Sequence, residues 1–311
     1  MNFRFDPYKI YIRQLCALMD TCRRKKNPAM WLHEQGARTC FFMLEGIARI
    51  ELKCEHEKAR KKHRFYKKME DKLGQLDYWL SVKSELKNHK KLSAVQLNEL
   101  DYKIEKAFNR INGYLIKNNF FERKLIKYRK PLLDLNNRNL IIQIRKIIAA
   151  DLQKCLVFFE SHKTGFNDLE LQVHEFRRKL RWFSIYAQCL QGLITLQDEQ
   201  KNYSWEKDYI DEETVQNPFN KLPAKKNLKL NIAYRKKPFL ALSKIIQELG
   251  RIKDKGLHAE GLHILSAKSK PDKVSPDQHG ELLKEAHQIL EKFFLKDRVF
   301  AQLLVNPSKK A

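Results

Sequence analysis

His174, Arg177, Arg178 and Arg181 stand at i, i+3, i+4 and i+7. At about 100° per residue they share one face of an α-helix. Val173, Phe176, Leu180, Phe183 and Ala187 fall on a neighbouring apolar strip. Such a helix buries one edge and presents a row of cations beside it. Arginine suits phosphate oxygens because its planar guanidinium donates in a fixed fork. The histidine adds a donor, or a charge below neutral pH. A solvated, arginine-rich helix face is the plain alternative.

A second set, Arg49, Lys53, His56, Arg60, Arg64 and Lys67, recurs at steps of four, three, four, four and three. Within a single helix all six would share a face about 80° wide. The pattern predicts such a helix from about Ala29 to about Asp71, with a kink at Gly46. Lys237, Lys244 and Arg251 recur at sevens along a later helix, and Arg145 lies on another. These rows can bind a polyanion or simply face solvent.

Composition favours the polyanion. The 311 residues hold 62 Lys and Arg against 37 Asp and Glu, a formal charge of +25. Self-repulsion on that scale opposes compaction unless salt or a polyanion screens it. Nucleic acid, polyphosphate and an anionic membrane surface are the natural partners. Only 10 Gly and 9 Pro punctuate the chain, and 43% of it is hydrophobic. That combination predicts an all-α protein with a substantial core. The six cysteines show no CxxC and no disulfide-like spacing, so a reduced, cytoplasmic protein is expected. Charges interrupt the N-terminal stretch, so no signal peptide is expected. No run of about 18 apolar residues predicts a transmembrane span.

Catalytic signatures are missing from the sequence. Neither His33-Glu34 nor His174-Glu175 continues to His-Glu-x-x-His. Cys54, His56 and His63 do not follow a zinc spacing. There is no P-loop, no Gly-x-Ser-x-Gly and no Asp-rich cluster beside the basic rows. A non-catalytic protein without cofactor or metal is the expectation.

The elements that must carry these rows follow from helical periodicity and breakers. Pro7 opens a helix to about Lys26, and Asn27-Pro28 ends it. After the long basic helix, Leu73-Gly74 begins a segment that ends near Asn88-His89. Ser93 with Gln96 three residues on predicts a capped helix over 94–117. Asn118-Asn119 and Arg129-Lys130-Pro131 interrupt; a long helix spans about Asn136 to Ser161, and Asp168 caps the helix of His174. Residues 198–235 are acidic and proline-marked, and read as a long connection. A helix resumes near Pro238, a polar break spans Ser269 to Pro276, and a last helix reaches about Leu304.

The two halves echo each other. Trp31-Leu32-His33-Glu34 and Gln172-Val173-His174-Glu175 both place His-Glu early in a long helix, with Phe41-Phe42 and Trp182-Phe183 following. Leu73-Gly74 is matched by Leu249-Gly250. Two diverged copies of one helical unit, residues 1–130 and 131–311, fit this, the second with an insertion at about 198–235. Each copy suits a four-helix bundle.

The stretch from His174 to Arg181 and the Leu249-Gly250-Arg251-Ile252-Lys253-Asp254 segment resemble the CHAD domain, whose name stands for conserved histidine α-helical domain. The resemblance extends to the two-copy layout. It implies two pseudo-symmetric four-helix bundles with a basic groove that binds inorganic polyphosphate. The matching residues are His174, Arg177, Arg178 and Arg181, joined by His33 and Arg38 in the first copy. That copy departs from the pattern: Gly36, Ala37 and Cys40 stand where the second has Arg177, Arg178 and Arg181. The stripe from Arg49 to Lys67 is then expected to supply the missing charge. Non-catalytic polyphosphate binding is the leading expectation, and a helical nucleic-acid-binding protein using the same rows is the alternative. No zinc-finger, RNP-type or basic-zipper motif supports the latter.

Overall fold

The computed structural model describes residues 6–54, 56–88, 93–128, 133, 135, 137–224, 230–266 and 276–305. The chain divides into two compact units, Met1–Asp134 with Leu257–Lys273, and Leu135–Gly256 with Val274–Ala311.

The first unit opens with α1 (Pro7–Cys22), whose N-terminus Asp6 caps by accepting from the Lys9 amide. Pro7 costs nothing there, because a first-turn amide has no helical partner. Asn27 caps α2 (Pro28–Glu34) in the same way. Gly36 then turns the chain at φ 62° into α3 (Ala37–Lys53). Cys54, Glu57 and Lys58 lie in a turn before α4 (Ala59–Asn88). The capping box of Ser93 and Gln96 starts α5 (Ala94–Lys117) as the sequence predicts. Positive φ at Asn119, Phe120 and Phe121 swings the chain into α6 (Glu122–Lys127).

Helix α3 packs along α4 and α1, and α5 packs along α4. Tyr8, Phe41, Tyr66, Leu73, Leu76 and Phe121 are fully buried between them. Glu51 and Lys62 form a buried ion pair at 3.5 Å, with the Lys62 ammonium 4.4 Å above the Tyr8 ring and the Tyr8 hydroxyl bonded to that of Tyr66.

The single basic helix expected over 29–71 is therefore three helices. Glu51 meets Lys62 near the turn, while Arg38 meets Asp77 far from it, so α3 and α4 run antiparallel. Folding back lets the apolar strips of both helices face one core, which a continuous rod cannot do. No break occurs at Gly46, and Leu73-Gly74 lies inside α4 rather than at a helix start.

In the second unit α7 (Arg138–Glu160) precedes a wide π-type turn, Leu169–His174, capped by Asp168 and continuous with α8 (Glu175–Cys189). Strand β1 (Ile194–Gln197) follows, then two short helices, α9 (Glu206–Tyr209) and α10 (Glu212–Gln216). Strand β2 (Ile232–Arg235) leads into α11 (Lys236–Ser266), which belongs to this unit as far as Gly256, and α12 (Pro276–Glu291) comes last. A second wide turn, Lys292–Lys296, cuts short the helix expected to reach Leu304. Phe159, Phe176, Phe183, Phe239, Phe293 and Phe300 are fully buried here.

The protein is mostly helical, as composition predicts. The exception is a parallel pair, β1 on β2, running from Ile194 beside Ile232 to Gln197 beside Arg235. It lies at both ends of the acidic segment, which is therefore a structured excursion and not a bare connection. The expected break at Arg129-Lys130-Pro131, and that from Ser269 to Ser275, lie outside the described residues.

Candidate functional site

The helix of His174 is placed as predicted, yet its cations have partners. His174 Nδ1 donates to Glu170 Oε2 at 2.8 Å across the wide turn. That bond holds the Glu170 carboxyl below its ordinary range, burial acting the other way. Arg178 Nη1 donates to Glu175 at 2.7 Å. Arg177 Nε donates to the Ile246 carbonyl at 2.9 Å, and its guanidinium crosses α11 at Gly250. A Cβ on Gly250 would lie 2.9 Å from Arg177 Nη2. Arg181 is half-buried on the same helix. Arg145 points elsewhere, its guanidinium donating to the Val305 carbonyl.

In the first unit Arg38 has a similar setting. It crosses α4 at Gly74, where a Cβ would lie 2.7 Å from Nη2. Nε and Nη2 donate to Glu70 at 2.8 and 2.6 Å, and Nη1 to Asp77 at 2.8 Å. His33 Nδ1 meets the other Asp77 oxygen at 2.7 Å. Arg38, rather than Gly36, thus lies against its Leu-Gly pair as Arg177 lies against the other. Arg38 and His33 are spent on two carboxylates of α4 that the sequence reading did not connect to them.

The row Lys237, Lys244 and Arg251 is covered. Lys237 pairs with Glu206 at 2.7 Å, Lys244 with Asp211 at 2.6 Å, and Arg251 with Glu213 at 3.2 Å. All three carboxylates come from the acidic excursion. The Lys244 hydrogen bond, aided by the Thr214 amide, holds Asp211 far below its usual range. Spacing by seven on α11 was visible in the sequence. Its match to Glu206, Asp211 and Glu213 was not, because the path from 198 to 213 has no period.

The stripe from Arg49 to Lys67 does not form one face. Arg49 and Lys53 ride on α3, His56 sits in the turn, and Arg60, Arg64 and Lys67 ride on α4. Arg60 pairs with Glu57 at 2.8 Å and Lys67 with Asp71 at 2.7 Å.

Further along α4 the sequence reading named Arg64 and Lys67 but missed Lys68 and Lys72. Arg64, Lys67, Lys68, Asp71, Lys72 and Gln75 line an open cleft of about 540 Å³. These positions follow helical spacing, so one side of α4 forms the wall. Its single carboxylate, Asp71, is taken by Lys67. Lys68 and Lys72 stand 4.6 and 5.2 Å from the Tyr114 ring centroid on α5, and Lys124 of α6 stands 5.7 Å from it. Burial, then Lys68 and Arg110, pull Lys72 below the ordinary lysine range. Burial and Lys68 do the same to Lys124. Among the described residues, Arg64, Lys68, Lys72, Arg110 and Lys124 have no carboxylate within ion-pair reach. The missed signal was a second basic row, Arg64, Lys68 and Lys72, at steps of four beside the one that was read.

Among the described residues no group of three His, Cys, Asp or Glu is placed to hold a metal ion, and no helix is long and apolar enough to cross a membrane. The six cysteines form no disulfide with one another, and all but Cys16 are buried. No protein-family model, curated protein or solved structure matches the chain.

Proposed function

We propose that this protein binds inorganic polyphosphate without turning it over, and that the cleft along α4 is the principal contact. The observation that carries this is the concentration of uncompensated cations there. Arg64, Lys68 and Lys72 climb one helix wall at steps of four. Lys124 and Arg110 approach from neighbouring helices. Each would gain from a polyanion what it lacks among the described residues, and Lys72 and Lys124 sit below the ordinary lysine range through burial first and neighbouring cations second. A linear anion with about one charge per phosphate can lie along such a wall, its affinity coming largely from counterion release. The two-copy, CHAD-like plan accords with the paired Arg–Gly contacts of Arg38 on Gly74 and Arg177 on Gly250. In this scheme those arginines brace the helices, while neighbouring cations meet the ligand.

The test is a thermal-shift and salt titration with polyphosphate, orthophosphate, ATP and double-stranded DNA at matched charge. Polyphosphate should raise the melting temperature most, by mass action on the folded state. Equal shifts with every polyanion, or a preference for DNA, would sink the proposal and leave a generic or nucleic-acid-binding surface. Phosphate release from the chain in the presence of Mg²⁺ or Mn²⁺ would overturn the non-catalytic assignment.

A further inference from the structure

The cleft changes character at Tyr114. Along α4 it is a rail; at Tyr114 it becomes a cup. Lys68 and Lys72, one turn apart on α4, and Lys124 on α6 all place their ammonium groups within 5.7 Å of the Tyr114 ring centroid. Arg110 stands one turn before Tyr114 on α5 and is close enough to repel Lys72. Charges drawn from three helices thus meet around one aromatic ring. Lys124 is fixed there from behind, donating to the Asn118 side chain at 2.8 Å with the Phe65 and Phe121 rings beside it.

Ring faces offset part of the repulsion, since each ammonium gains from the π quadrupole. They cannot remove it, and no carboxylate among the described residues enters the cup. A ligand for this place should be compact and carry more than one negative charge. Interior phosphates of a chain carry about one each. A terminal phosphate group approaches two near neutral pH, its second pKa being about 6, and its three outer oxygens can accept from several donors at once.

We infer that Lys68, Lys72 and Lys124 around Tyr114 form a binding site for a terminal phosphate group, held as the end of a polyphosphate chain or as free pyrophosphate. This deepens the polyphosphate reading and rests on it for the chain-end source, though not for pyrophosphate. The rail from Arg64 would then take interior phosphates, and the cup would set where a chain begins.

Calorimetric titration of the whole protein tests this with three probes: pyrophosphate, short-chain polyphosphate, and the same chain with both ends converted to alkyl phosphoramidates. Wild type is compared with Lys124→Gln and Lys72→Gln, each checked for a single cooperative melting transition. Pyrophosphate should bind, and capping the ends should weaken the chain about tenfold. Either variant should erase the difference between capped and free chains. Capped and free chains binding alike to wild type, with pyrophosphate inert, would overturn the cup and leave the polyphosphate proposal standing. Pyrophosphate binding that depends on Lys72 and Lys124, with no binding of any chain, would uphold the cup and overturn the polyphosphate proposal.

Discussion

The Arg38 guanidinium occupies the space that a side chain on Gly74 would need: a Cβ there would lie 2.7 Å from Nη2. Glycine in a helix interior costs about 1 kcal/mol relative to alanine, and here it buys three charge-assisted hydrogen bonds to Glu70 and Asp77. Gly74→Ala should therefore destabilise by about 1 kcal/mol or more despite better helix propensity. In an Arg38→Ala background the same change should stabilise by about 0.5–1 kcal/mol. Urea unfolding of the four proteins in the cycle measures this, and additivity would show that the two residues do not compete for the space.

Charge reversal should act unequally along the chain. Lys68→Glu or Lys72→Glu should weaken polyphosphate binding by about tenfold or more. Arg251→Glu should change little, because Glu213 already answers that charge. A larger loss from Arg251→Glu, read by equilibrium dialysis, would move the binding face to α11.

Removing the internal competitor should have the opposite effect. Replacing Glu206, Asp211 and Glu213 together with Gln, Asn and Gln frees Lys237, Lys244 and Arg251. Affinity for polyphosphate should rise, and the dependence of log K on log salt should steepen with the extra contacts. An unchanged slope would mean that the uncovered row does not reach the ligand.

The cup also predicts a pH response. Lys72 and Lys124 are pulled below the ordinary lysine range by burial first and neighbouring cations second. The unfolded chain then holds more protons in the window just under pH 10.5, so their penalty on folding lifts as pH rises through that window. Lys72→Gln and Lys124→Gln should accordingly lie closer to wild type in melting temperature at pH 10 than at pH 7. A gap independent of pH would remove the electrostatic explanation.

The core of the first unit offers a sharper stability test. Lys62 and Glu51 are both buried, and Lys62→Ala would remove the ammonium from beside the buried carboxylate. The loss should be about 3–5 kcal/mol, visible in denaturant midpoints. Lys83, paired with an exposed Asp101, should cost under about 1 kcal/mol when changed to Ala.

Local chemistry made much of the fold legible. Ser93 with Gln96, and Asp168, announce helix starts through side chains that satisfy first-turn amides, and both do so; Pro7 and the break at Asn27-Pro28 were legible too, with Asp6 and Asn27 supplying caps that were not read. The turn between α3 and α4 was hidden because basic residues kept helical spacing straight through it; only the need of two apolar strips to share a core breaks the rod. Strands of four residues are too short to show alternation against long helical periods. The partners of Arg38, Lys244 and Arg251 were illegible for another reason. Glu70, Asp77, Asp211 and Glu213 lie 32 to 39 residues away, and pairing at that distance is a property of the fold.

The acidic excursion is fastened to α11 at three points seven residues apart, and that spacing exists only while the helix is wound. From Lys237 to Arg251 the attachment line is about 21 Å at 1.5 Å per residue. Unwinding one turn of α11 between the anchors would throw their carboxylates out of step. Docking of the excursion and winding of the helix are thus one cooperative event, and the strap that neutralises these cations also splints the helix that carries them.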